Sequence, residues 1–351
     1  MRRWARSVFM AASLWPMAAP ANPFSALPLQ PAADIPASGK ILATLENGDY
    51  VLPRFSPDAR YLAFAHVVMQ DNTELTEIQA LDLKTLRLTT LLDAKGSREF
   101  AVYKSYVAGF SWTDATTLKA GISDGDVNGV DLVFDVAAGK LASKKPFSLA
   151  DDASEAEQEP PPDLTAAFPT LPPPVLANAL ANGFRAGEKK YVVQKNYWKQ
   201  DNHVWLLDAG SRQLTRLVNI PEAWIYSLRG GFASGNAIIM LVAWGQDAWL
   251  ARHAGGRLEL LYRFPVKNYQ QTALRVEHTR GERVLFQVST GADYEKRESF
   301  LFVYDRAGLR RIRESAPVYD LDVDDTGRLL GLSLWKGNSR RLVVREWKDL
   351  P

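Results

Sequence analysis

A strand, turn, strand pattern recurs six times along the chain, and no other feature narrows the fold so far, because a repeat of this kind is one supersecondary unit copied in series. Six segments have the apolar, β-branched and aromatic character of second strands: Tyr61 to His66, Leu118 to Ile122, Tyr191 to Gln194, Ile238 to Ala243, Val284 to Val288 and Leu329 to Leu334. The matching third strands are Glu77 to Asp82, Val130 to Asp135, His203 to Asp208, Ala248 to His253, Phe300 to Asp305 and Arg341 to Glu346. Turn residues separate them, among them Ser56-Pro57-Asp58, Thr113-Asp114, Ser234-Gly235, Arg280-Gly281 and Thr326-Gly327. Apart from one insertion, equivalent strands recur about every 41 to 53 residues, the spacing of blades in a radial all-β array. The expectation is a six-bladed β-propeller over residues 39–351, with helical periodicity only near Val175 to Ala181.

One stretch breaks the rhythm. Asp151 to Pro174 carries six acids, no base and two runs of three prolines. Such a composition lacks the apolar residues of a core and reads as an extended inter-blade insertion at 151–174. The last repeat has five residues after Glu346, too few for a fourth strand. Lys40 to Leu45, strand-like and ahead of the first repeat, is expected to complete the sixth blade and close the ring, which removes an open edge.

The N-terminus reads as an export signal. Arg2, Arg3 and Arg6 precede a short apolar run from Ser7 to Ala18, and Ala19-Pro20-Ala21 supplies a small-x-small cleavage pattern, so 1–21 is a signal peptide and 22–38 a Pro- and Ala-rich tail. A periplasmic or secreted chain follows, with no membrane span after the signal. Cysteine is absent, so disulfides, thiolate metal sites and cysteine nucleophiles are excluded. With 42 basic and 40 acidic residues, the balance of +2 lacks the basic excess that nucleic-acid binding favours. The local cluster Arg310, Arg311, Arg313, Arg340 and Arg341 reads as a solvated face.

The segment Phe55-Ser56-Pro57-Asp58-Ala59-Arg60-Tyr61-Leu62-Ala63-Phe64 resembles the repeat of TolB-like propellers and of the propeller domains of the prolyl oligopeptidase and dipeptidyl peptidase families. Ala59 stands where glycine is usual. Val323-Asp324-Asp325-Thr326-Gly327-Arg328-Leu329 is a looser copy, and Phe110-Ser111-Trp112-Thr113-Asp114 a third. The resemblance implies a propeller in a periplasmic setting and by itself no activity. The peptidase relatives carry their nucleophile on a separate hydrolase domain marked by a G-x-S-x-G elbow. Here Gly109-Phe110-Ser111 runs into Trp112-Thr113 and the elbow fails. No catalytic residue is assigned.

The four histidines, His66, His203, His253 and His278, fall at non-equivalent positions in different repeats, which argues against a shared metal centre. Asp124, Asp126 and Asn128 alternate with Gly125 and Gly129, the pattern of a weak Ca²⁺ loop, and equally that of a polar hairpin turn. No other cofactor is expected. Loops joining second to third strands share one predicted face and carry Tyr197, Trp198, Lys199, Trp244, Tyr294, Trp335 and Lys336. Aromatic and cationic side chains at loop tips suit a protein, peptide or glycan partner. The leading expectation is a non-catalytic binding propeller. The alternative is a lyase, lactonase or glycosidase using channel carboxylates such as Asp124, Asp247, Asp293 and Asp320, which would need to converge in one pocket. A third reading is a stand-alone relic of a peptidase propeller.

Overall fold

The computed structural model describes residues 32–100, 104–123, 128–148, 162–169, 176, 183–194, 203–218, 227–244, 247–265, 272–290 and 298–347. Strands β1 (Ala33–Pro36) and β2 (Ile41–Leu45) precede the repeats. Unit 1 comprises β3 (Asp49–Phe55), β4 (Tyr61–Gln70), β5 (Thr73–Asp82) and β6 (Arg87–Leu92), followed by helix α1 (Ala94–Arg98). Unit 2 comprises β7 (Tyr106–Trp112), β8 (Thr117–Ser123), β9 (Asn128–Asp135) and β10 (Lys140–Ser148), and is followed by helix α2 (Pro162–Ala167). Unit 3 holds β11 (Phe184–Gly187), β12 (Lys190–Gln194), β13 (Val204–Asp208) and β14 (Gln213–Arg216). Unit 4 holds β15 (Ser227–Ser234), β16 (Ala237–Trp244), β17 (Asp247–Ala254) and β18 (Arg257–Pro265). Unit 5 holds β19 (Ala273–Arg280), β20 (Arg283–Thr290), β21 (Glu298–Asp305) and β22 (Gly308–Arg313). The last unit has β23 (Val318–Val323), β24 (Leu329–Lys336) and β25 (Ser339–Glu346), with β2 added antiparallel to β25.

Each unit is an antiparallel meander, and a single pairing of Ser299 with Val318 joins units 5 and 6 into one nine-stranded sheet. First strands touch first strands: β7 meets β3, β3 meets β23, and β19, β15 and β11 continue the row. This inner row, with sheets radiating from it, is a β-propeller arrangement. Middle strands are buried on both faces because a neighbouring unit covers each side. Tyr61 to Ala65 and Val284 to Thr290 therefore read as continuous runs rather than alternating ones. Outer strands face water, and β14 is exposed throughout as Gln-Leu-Thr-Arg. Between units 4 and 5 the core is aromatic, with Phe286 stacked on Phe302 at 5.4 Å and Phe264 edge-on to Phe302 at 5.8 Å.

The sequence pattern is corrected in two places. Residues 33–36, expected as tail, form β1 and pair in parallel with β22. The outer edge of unit 5 leaves backbone groups open, and Ile35 gains an apolar contact there while Asp34 pairs with Arg313 at 2.7 Å. Within the acidic insertion, 162–168 is not bare loop: Leu164, Phe168 and Leu176 pack on Tyr191, Val193 and Leu207 of unit 3. Three apolar residues suffice to dock a short helix on a face that would otherwise stay wet. Residues 151–161 and 170–174 of the insertion, the signal segment and most of Val175 to Ala181 lie outside the described residues.

Candidate functional site, a cleft over the inner strands

Every first strand breaks register once. Pairing skips Leu52-Pro53 in β3, Ala108 in β7, Ala186 in β11, Arg229-Gly230 in β15, Glu277 in β19 and Tyr319 in β23. A bulge bends the strand and re-aims the side chain at the extra position. In β23 the extra residue is Tyr319, whose ring meets that of Trp335 edge-to-face at 5.4 Å and 87°. Asp320 and Asp322 follow on the inner strand. In β19 the extra residue is Glu277, which joins the same carboxylate group.

Tyr319, Asp320 and Trp335 line a cleft of about 1090 Å³ between units 6, 1 and 2. Tyr106, Val51 and Val67 add apolar surface, and Lys104, Glu74, Asp49 and Arg340 add charge. Arg340 lies over both rings, 4.5 Å from the centroid of Tyr319 and 5.3 Å from that of Trp335. Its Nε and Nη2 donate to the two carboxylate oxygens of Asp49, each at 2.5 Å. The fork-to-carboxylate geometry fixes the guanidinium plane against the aromatic pair. Lys104 Nζ sits 5.7 Å above the Tyr106 ring.

Below the cleft, the inner strands carry a mixed-charge group. Arg275 Nε approaches Glu277 Oε1 at 3.3 Å, without hydrogen-bond geometry, and Arg54 Nη1 lies 3.9 Å from Asp322 Oδ1. The Phe55 N–H donates to Asp322 Oδ2 at 2.8 Å. Burial, partly offset by Arg275 and reinforced by Asp322, pushes Glu277 up to about 7. Burial likewise raises Asp322 to about 6 against the opposing pull of Arg54. Asp320 is 4 % exposed, and its Oδ1 accepts the Leu321 N–H at 2.9 Å.

The cleft contains part of the surface expected from sequence. Trp335 forms a cleft wall rather than a loop tip, and Lys336 turns to Glu46 at 2.8 Å. Trp244 ends β16, its backbone paired with Asp247. Tyr197, Trp198, Lys199 and Tyr294 lie outside the described residues, as do Asp124 and Asp126, while Asn128 opens β9. Asp293 also lies outside them. Asp247 is not a channel residue: it begins a third strand and takes a two-pronged bond from Arg263 on the outer strand, at 3.0 and 2.9 Å. Asp320 is joined instead by Asp322 and Glu277. The arginine cluster is not simply solvated either, since Arg340 is buried against Asp49 and Arg310 pairs with Asp305. Among the described residues no group of three or more His, Asp or Glu could hold a metal ion.

No family model and no curated protein sequence matches the chain. Solved structures similar to it include a prolyl endopeptidase, at 12 % identity and a TM-score of 0.31 over 89 % of this chain. The chain spans 42 % of that protein's length. An oligogalacturonate lyase in complex with manganese is similar at 10 % identity, a TM-score of 0.41, and 91 % and 99 % of the two chains. TolB from Acinetobacter baumannii is similar at 11 % identity and a TM-score of 0.31, covering 85 % of this chain and 64 % of its own. The propeller assignment rests on the strand pairing itself, and the class so defined is an all-β propeller with an aromatic, charge-lined cleft over its inner strands.

Proposed function

We propose that this chain is an exported, non-catalytic binding propeller of six blades, its ring completed by β2, which takes a peptide segment of a partner protein in the cleft between units 6, 1 and 2. The observation that carries this reading is the wall of Tyr319, Trp335 and Arg340, an aromatic pair held rigid by a guanidinium that Asp49 fixes in place. Rigid aromatic surface beside polar groups of both signs recognises peptide at little entropic cost. No helix among the described residues is long and apolar enough to cross a membrane, and the export-signal pattern of 1–21 supports a periplasmic or secreted location. The test is selection of a random peptide library on the protein lacking 1–21, beside Trp335→Ala. Enrichment that Trp335→Ala abolishes supports the reading, and enrichment indifferent to it refutes it.

A catalytic reading draws on Glu277, whose raised pKa suits a proton donor. Its side chain is only 2 % exposed, however, and of the three inner carboxylates Asp320 alone lines the cleft. A general acid must reach its substrate, so the geometry favours binding. Screening glycan and lactone hydrolysis with Glu277→Gln as control checks this, and turnover lost in that variant would reverse the preference.

A further inference from the structure

Of the charged residues lining the cleft, Asp320 is the buried one that has no ion pair among the described residues, whereas Glu74 and Lys104 are exposed. Among its lining residues Asp49 is spent on Arg340, and Lys104 rests over Tyr106. Asp320 has no ion pair among the described residues, and its one hydrogen bond comes from the adjoining Leu321 N–H to Oδ1. Its other oxygen has no partner among the described residues, although the residue is 4 % exposed. A carboxylate withdrawn so far from water is costly unless a cation or strong donors reach it. On the same inner strands, Asp322 and Glu277 are faced by Arg54 and Arg275. Of these acids Asp320 is the one that lines the cleft.

Resting on the cleft as the binding site, we infer that Asp320 is an anchor for a primary ammonium group, carried by a ligand whose apolar part lies against Tyr319 and Trp335. An ammonium supplies both the charge and the short, directional donors that the open oxygen lacks. A guanidinium is less suited, because Arg340 already occupies the cation position over the two rings. A peptide's α-amino group and a lysine side chain share this chemistry.

The probes are phenethylamine and its neutral counterpart 2-phenylethanol, titrated by saturation-transfer NMR on the protein lacking 1–21, beside Asp320→Asn and Trp335→Ala. The amine should bind wild type roughly tenfold or more tightly than the alcohol, as a charge-assisted contact requires. Asp320→Asn, which keeps the Leu321 bond, should erase that preference and leave the alcohol unchanged. The amine-to-alcohol ratio on wild type needs no variant, so it decides even if Asp320→Asn does not fold. Equal binding of both probes, each lost in Trp335→Ala, overturns the ammonium anchor and leaves the binding cleft standing. Absence of any Trp335-dependent binding overturns both. Hexapeptides with a free or acetylated N-terminus, each with and without lysine, then identify which ammonium is taken.

Discussion

Arg340 donates two parallel hydrogen bonds of 2.5 Å to the carboxylate of Asp49, 291 residues away, and so ties the last unit to the first. Nearby, Ser333 Oγ donates to the Tyr50 carbonyl at 2.6 Å across the same junction. The pair is mostly buried, so removing one partner leaves the other charged and poorly solvated. Arg340→Leu should lower the unfolding free energy by about 2 to 4 kcal/mol, as expected when one member of a buried pair is lost. Urea denaturation measures this, and the double variant with Asp49→Asn should recover part of the loss. Equal, additive losses would show that the pair is not coupled.

Ala59 has φ +55°, a left-handed conformation that a Cβ disfavours. The surrounding turn explains why it is held there: Ser56 Oγ accepts the Tyr61 N–H at 2.9 Å, and the Ala59 N–H returns to the Ser56 carbonyl at 2.8 Å. In the last unit Asp324 plays the part of Ser56, accepting from Arg328 and Leu329, and Gly327 takes the left-handed position at φ +70°. Replacing Ala59 with Gly relieves the strain at a smaller cost in unfolded-chain entropy, so Ala59→Gly should stabilise by roughly 0.5 to 1 kcal/mol. An unchanged or lower denaturation midpoint would contradict the strain argument.

The two turns show what the sequence could reveal. Turn residues and uninterrupted apolar runs are local signals, and so the middle strands, the third strands and the pairing of β2 with β25 were readable. Trp335 and Asp320 were also readable as residue types suited to a site. Their surroundings were not. Tyr319 and Glu277 are bulge residues, and an alternation pattern assigns such residues to a face as if the strand were regular. Pro53 within β3 and Gly230 within β15 were local signs of a broken register. The arginines near the C-terminus looked solvated because their acidic partners, Asp49 for Arg340 and Glu46 for Arg341, are identified only by the packing of units.

Glu277 gives stability a pH dependence whose direction runs opposite to that of an ordinary ion-paired carboxylate. Burial, the largest cause, raises it from 4.5 to about 7, so the folded protein holds this proton more tightly than the unfolded chain does. Its contribution is fully present below about pH 4.5 and is lost as pH rises through about 7, on the order of 3 kcal/mol. Asp322, raised to about 6, acts in the same sense and is lost at lower pH. Urea unfolding at pH 5 and 7.5 should show wild type losing stability across this interval. Glu277→Gln should flatten the loss and be the more stable protein at pH 7.5, and a variant with the wild-type slope would place the titration elsewhere.

Gly39 tests the closure of the last unit. It lies between β1 and β2 at φ +101°, and a Cβ there would stand 1.8 Å from the Glu346 carbonyl oxygen. The same carbonyl's residue donates its N–H to the Lys40 oxygen at 2.8 Å, the first bond of the β2–β25 ladder. Neither a rotamer change nor a small shift can clear a backbone atom at that distance, so the chain must back away and release the bond. Gly39→Ala should then cost about 2 kcal/mol or more, combining a disfavoured φ with a lost ladder bond. The loss should appear locally as faster amide exchange along Ile41 to Leu45 and Leu342 to Glu346, since an unlatched β2 leaves β25 as an open edge. If exchange rises uniformly across all units, β2 is held as firmly as before and the destabilisation has another origin. If it rises at β2 and β25 alone, the N-terminal strand acts as a latch on an otherwise intact propeller.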